Sequence, residues 1–142
     1  VALLMMLTFA GCTQNNGDIG AWFGAWTINS IEADGAPDTD YTPNSVTWKF
    51  QSTVISMIEL YDYHQTSTSF GTWKQLSDSQ LELNFGHGDA DQDTTPGVYY
   101  PAKSTHLPIG VSVLNIVKFS GKHLTLTYTA DTGITYTYTL SK

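Results

Sequence analysis

The 142-residue sequence predicts an all-β fold: an eight-stranded antiparallel up-and-down barrel, with a two-sheet β-sandwich as the alternative. Three observations predict it. From residue 22 onward apolar residues recur with a period of two, which puts one face of each segment in a core and the other in water. Clusters of Gly, Pro, Asp and Ser separate these segments at hairpin spacing, and no window sustains a helical period. The composition agrees, with 41% hydrophobic and 13% aromatic residues and only 13% charged, Thr and Ser taking the surface role that charge usually fills. A chain of this length holds about one domain, since domains run ~100–200 residues.

The elements follow in order. Residues 25–33 read as the first strand, preceded by a short helical turn at 19–23, and residues 34–44, with Gly35, Pro37 and Pro43, read as a loop. In 46–51, Val46, Trp48 and Phe50 alternate with Thr47, Lys49 and Gln51. Residues 55–64 form a third strand whose apolar phase slips around Met57-Ile58-Glu59, the sign of a bulge or of a strand covered on both faces. Strands at 68–75 and 80–85 follow, then a connection over residues 86–110 with three prolines and several Asp; unstructured stretches this long are commonly functional or disordered. Strands at 111–119, 124–129 and 134–140 complete the set. In the last two, Leu and Tyr alternate with Thr at nearly every intervening position. Consecutive strands on short turns form a meander, and closing it removes the exposed edges.

Charge excludes a class of partner. The net charge is −7, and all six cationic residues are lysines, so the clustered, Arg-rich surface that binds phosphate backbones is missing and nucleic acid is not an expected partner.

Residues 1–10 are apolar without a charge, too short to span a bilayer as a helix, which needs ~20 residues, but suited to the ~7–15-residue core of a secretory signal. The run opens on Val1 without a basic leader, which reads as a truncated start. Cys12 is the sole cysteine, so an intramolecular disulfide is ruled out in a compartment that would permit one. Phe9-Ala10-Gly11-Cys12 resembles the bacterial lipobox, with Phe9 where that motif prefers Leu. The resemblance implies lipidation at Cys12, membrane attachment through the lipid, and the cell envelope as location, as an outer-membrane lipoprotein. Each buried methylene stabilises such attachment by ~0.8 kcal/mol. The expected organisation is a signal over residues 1–11, a tether over 12–20 and a β-barrel domain over 21–142.

Gly24-Ala25-Trp26 resembles the lipocalin G-x-W motif, Gly71-Thr72-Trp73 echoes it, and Leu81-Glu82-Leu83 and the run Tyr136-Thr137-Tyr138-Thr139-Leu140-Ser141-Lys142 are similar to the later strands of lipocalin-like domains in Bacteroidetes-type lipoproteins. The resemblance spans roughly residues 20–142. It implies a barrel in which the motif Trp is covered by a cationic side chain from near the last strand. An Arg does this in classical lipocalins; here the chain has none, so Lys142 is the residue expected over Trp26. Trp26 and Trp73 are expected in the core.

Eight strands enclose an interior that is either filled by side chains or holds one small ligand. Candidate linings are Trp48, Phe50, Leu83, Phe85, Leu126, Tyr128, Tyr136 and Tyr138. A dry, empty pocket of ~300 Å³ costs on the order of 7 kcal/mol, so the interior is expected to be packed, wet or occupied. The Tyr hydroxyls favour a partly polar cavity or reach solvent at the rim.

Asp89, Asp91 and Asp93, next to His87, alternate as calcium ligands do, but the loop lacks the Gly and Glu that an EF-hand needs at its sixth and twelfth positions. No cofactor is expected, with calcium the one candidate; the plain alternative is a solvated acidic loop. His64, His106 and His123 are scattered. A glycosidase pair would have to be made from Glu59 with Asp62 or Glu82, and no nucleophile, zinc, P-loop or dinucleotide signature is present. The expectation is therefore a non-enzymatic lipoprotein that takes a small apolar or amphipathic ligand in its barrel, with residues 86–110 as a lid. The alternative is a filled barrel that contacts an envelope protein or a glycan through its long loop, where Tyr99 and Tyr100 would be binding aromatics.

Overall fold

The computed structural model describes residues 20–86 and 96–142. Nine strands form one antiparallel sheet: β1 (Gly24–Ala33), β2 (Ala36–Pro37), β3 (Val46–Gln51), β4 (Val54–Leu60), β5 (Thr66–Ser77), β6 (Gln80–Phe85), β7 (Gly110–Phe119), β8 (His123–Thr129) and β9 (Thr135–Ser141). Each of β4 to β9 pairs with its predecessor in the meander, β3 pairs with β1, and β9 returns to β1, for example Ile31 opposite Tyr138. Closure makes an eight-stranded barrel, and β2 is a two-residue addition on β1. The sandwich is thereby excluded.

Three register shifts, between Ile28 and Ser30, Gln75 and Ser77, and Ile116 and Lys118, each insert one extra residue. Such bulges bend and coil a strand, which closure of a sheet requires. The strand expected over 55–64 ends at Leu60, and Asp62–His64 form a 3-10 turn. Its phase slip is not a bulge, because β3 and β4 pair without a break from Val46 opposite Glu59 to Gln51 opposite Val54. The slip arises because Glu59 occupies a position in phase with Ile55 and Met57, both buried. A charged residue stands where the pattern wants an apolar one.

The barrel has two unlike ends. At one lie the turns after β3, β5 and β7 and both chain ends of the domain. The Trp26 indole there is fully buried and donates from Nε1 to the Trp22 carbonyl at 3.0 Å. Trp22 stacks on Phe119 at 4.3 Å and donates to Gln75 Oε1 at 3.0 Å. Lys142 Nζ sits 4.9 Å from the Trp26 ring centroid and donates to the Ala21 carbonyl at 2.8 Å, the covering role expected of it. Gly24 has φ +118°, and a Cβ there would lie 2.9 Å from Lys142 Cε. The backbone therefore favours the glycine of the motif, and a larger residue would also push the lysine end aside.

The opposite end is the mouth, formed by the connections after β1, β4, β6 and β8. Residues 100–107 cross it as a strap that runs from β9 to β4. Tyr138 donates from its hydroxyl to the Thr105 carbonyl at 2.6 Å, Ser104 Oγ to Glu59 Oε2 at 2.8 Å, and the Ala102 N–H to Met57 Sδ at 3.1 Å. His106 Nε2 lies 2.6 Å from Asp38 Oδ2, and its ring stacks on Tyr136 at 4.3 Å. The strap belongs to the connection expected as a lid, and these contacts tie it to the barrel.

Candidate functional site

Of the eight residues expected to line a cavity, Trp48, Phe50, Leu83, Leu126 and Tyr138 are fully buried, Phe85 and Tyr136 are buried, and Tyr128 packs against the same cluster. They do come together, but as a continuous core with Trp26, Ile28, Leu114, Leu124 and Leu140. Zero exposure means that no water-sized space adjoins these side chains. Trp48 stands 5.9 Å from Tyr138, and Phe50 meets Trp73 edge-on at 5.0 Å, spacings normal for packed aromatic pairs. Among the described residues the barrel is solid at this depth. The indole N–H groups of Trp48 and Trp73 are buried without a hydrogen-bond partner among the described residues, a cost of ~1–3 kcal/mol each that ring burial offsets.

Burial raises the Tyr138 phenol far above its ordinary value of 10.0, and the same cause raises Tyr41, whose hydroxyl donates to the Ile28 carbonyl at 2.6 Å. The folded protein thus holds these protons more tightly than the unfolded chain does. The stability this gives is intact below the unfolded value and is lost as pH rises through the folded ones. Urea midpoints are therefore expected to fall between about pH 10 and 12, with a shallower fall in Tyr138→Phe; equal slopes in the two proteins would contradict the assignment.

Space remains at the mouth. A cleft of about 440 Å³ opens between the strap and the upper ends of β4 and β5, lined by Met57, Glu59, Tyr61, Ser67, Ser69, Tyr100, Pro101, Ala102 and Lys103. That volume lies within the ~300–1,000 Å³ of small-molecule sites. Strand alternation places its floor. Met57 opposes Ser69 and Glu59 opposes Ser67 across the β4–β5 ladder, with Met57 and Ser69 buried and Glu59 half-buried. The apolar stripe of the barrel thus turns polar as it reaches the mouth. The Glu59 carboxylate beside Tyr61 holds that phenol above its ordinary value. On the other side of Glu59 and Tyr61, a second recess of about 420 Å³ is lined by Asp40, Asp62 and Ser104 among others.

Of the remaining candidates, only Glu59 and Asp62 line one recess. Glu82 pairs with Lys74 at 3.5 Å and so is directed away from Glu59, while Asp62 shares the second recess with it. The pairing of His106 with Asp38, 68 positions apart, carried no signal in the sequence. Among the described residues no group of three or more His, Cys, Asp or Glu could hold a metal ion. Cys12, His87, Asp89, Asp91 and Asp93 lie outside the described residues.

No protein-family model matches the sequence, and no curated protein matches it. Solved structures do resemble the fold. A lipocalin-like protein from Bacteroides uniformis is 20% identical, superimposes with a TM-score of 0.62, and the match covers 87% of this chain and 99% of that one. An uncharacterized protein from Bacteroides eggerthii is 13% identical with a TM-score of 0.61, over 85% of this chain and 98% of the other. With its closed meander, its Trp26 sealed under Lys142 and these structural neighbours, the chain has the lipocalin-like barrel fold.

Proposed function

We propose that the protein is a non-catalytic binder of a small amphipathic molecule, which it takes at the mouth of the barrel and not in its depth. The observation that carries this reading is the 440 Å³ cleft, whose Met57, Pro101 and Ala102 offer apolar contact while Glu59, Ser67 and Ser69 offer polar groups at one end. Pockets that combine apolar walls with a few convergent polar groups are the usual form of a ligand site. The hydrogen bonds of Ser104 to Glu59 and of His106 to Asp38 tie down the strap, a structural and not a catalytic use. The test is titration with a fluorescent apolar probe alongside native mass spectrometry. Saturable uptake of about one probe per barrel, or a copurified small molecule, is expected. A clean apo mass without uptake would overturn the reading.

A second reading is favoured by a different observation. Ile109, Val111, Val113 and Val117 are all exposed, three of them along β7, an apolar stripe of the kind that contacts partners. In this reading the barrel is a solid interaction module of the envelope that meets a protein or a glycan, with Tyr100, also exposed, at the edge of the strap.

Both readings place the protein in the cell envelope as a lipoprotein anchored through Cys12, after removal of residues 1–11. The described chain enters the barrel at the sealed end, where Lys118, Lys122 and Lys142 also lie; these lysines suit an anionic lipid surface, which would leave the mouth pointing away. Cys12→Ala is expected to move the protein from the membrane to the soluble fraction of a bacterial host, and continued membrane association would refute the anchor. The role of Asp89, Asp91 and Asp93 as calcium ligands is likewise a proposal; millimolar calcium should then raise the melting temperature.

A further inference from the structure

We propose that the ligand of the mouth cleft is a primary amine with a short apolar tail, its ammonium group held by Glu59, Ser67 and Ser69. The proposal rests on the reading of the cleft as a ligand site and names the chemistry of its occupant. Ser69 is the first observation. It is only 5% exposed, lines the cleft, and its hydroxyl makes no hydrogen bond to any described residue. What little of this side chain is accessible opens on the cleft, so a molecule bound there is placed to supply the partner.

The second observation is the arrangement around it. Glu59 faces Ser67 across the ladder, and Met57, two positions before Glu59, faces Ser69. One carboxylate and two hydroxyl oxygens therefore stand on one face of two successive rungs of the ladder and line one cleft, three acceptors for the three N–H donors of a primary ammonium. Ser104 donates to Oε2 of Glu59, which fixes the carboxylate without exhausting the lone pairs of its two oxygens. The tail would then lie against Met57, Pro101 and Ala102, with the rings of Tyr61 and Tyr100 at the rim, where a cation gains from aromatic faces.

The charge distribution along the barrel agrees. The mouth connections carry Asp34, Asp38, Asp40, Asp62 and Asp131, whereas Lys118, Lys122 and Lys142 lie toward the sealed end. An acidic rim draws cations toward the cleft. Lys103 is the one lysine that lines it. Its side chain is exposed, free to carry its charge into water on a flexible stem, while Glu59 is half-buried and pinned.

The test is isothermal titration calorimetry of the protein at low salt with four probes on a linear chain of eight carbons: octylammonium, octyltrimethylammonium, 1-octanol and octanoate. Octylammonium is expected to bind at least about tenfold more tightly than 1-octanol, a difference appropriate to a charge-assisted hydrogen bond, with octanoate weakest. Glu59→Gln should remove about tenfold of the octylammonium affinity while leaving 1-octanol unchanged. Ser69→Ala is the second variant, because its hydroxyl supports no other described residue; it should weaken octylammonium and leave the melting temperature intact. Equal binding of octylammonium and octyltrimethylammonium would overturn the role of the hydroxyls. Equal binding of octylammonium and 1-octanol, or tightest binding of octanoate, would overturn the amine and leave the cleft as a ligand site. Silence with all four probes would overturn the cleft itself.

Discussion

Replacing Trp26 by Ala is expected to remove about 3–5 kcal/mol of stability, the range for large buried aromatics. The side chain is fully buried, its Nε1 donates to the Trp22 carbonyl, its ring lies 6.1 Å from Phe119, and Lys142 covers it. Removing it unseats both the wall and the cover of the sealed end at once. Against a typical stability of ~5–15 kcal/mol, such a loss leaves the barrel near its unfolding threshold. Guanidinium denaturation measures it. A loss below about 1 kcal/mol would mean that the sealed end is not a packed cap, and Trp26→Phe, which keeps most of the volume, should fall between the two proteins.

Leu83→Ala is expected to cost about 2–5 kcal/mol, and this result decides between a solid and a hollow interior. In a packed core the removed atoms leave a void, so a cavity penalty adds to the lost transfer free energy. Beside an existing cavity the void would merely enlarge space already present, and only the transfer contribution would remain. Leu83 is fully buried between Trp73 and Ser112, its cross-strand partners on β5 and β7, both of them buried. Urea denaturation that shows a loss no larger than about 2 kcal/mol, the transfer contribution of roughly three carbon groups alone, would contradict the solid barrel.

Much of the fold was legible in the sequence for a simple reason. Alternation such as Val46-Trp48-Phe50 states which side of a strand is dry, and a chain in which every strand has one dry face and a short turn has few ways to bury them all. The strand over 46–51 and that over 80–85 match the structure residue for residue, and the cationic cover on Trp26 was implied by the resemblance of Gly24-Ala25-Trp26 to the lipocalin motif. Depth was not legible. A period of two says that Trp48 and Tyr138 point inward, but not how far their rings reach toward the barrel axis, so packed and hollow interiors give the same pattern.

The site left one trace, the phase slip at Met57-Ile58-Glu59. It records a charged residue on an inward position at the mouth, where the β4–β5 ladder passes from Met57 and Ser69 to Glu59 and Ser67. The strap left none. Its holds on the barrel are a backbone carbonyl at Thr105, a backbone N–H at Ala102, a thioether at Met57 and the distant partners His106 and Asp38; such contacts have no periodicity or motif. The pair of Glu59 with Glu82 does not form for the converse reason, since counting residues does not reveal that Glu82 is committed to Lys74, out of phase with the inward positions Leu81 and Leu83.

The central claim is that the barrel is solid in depth and binds at its mouth. Amide and indole chemical shifts recorded by NMR during titration with octylammonium and, separately, 1-octanol test it most directly. The account predicts saturable shifts confined to Met57, Glu59, Tyr61, Ser67, Ser69 and the strap residues Tyr100, Ala102 and Lys103, with the Trp48 indole N–H unmoved. Shifts at Trp48, Leu126 and Tyr138 that exceed those at the mouth would contradict it.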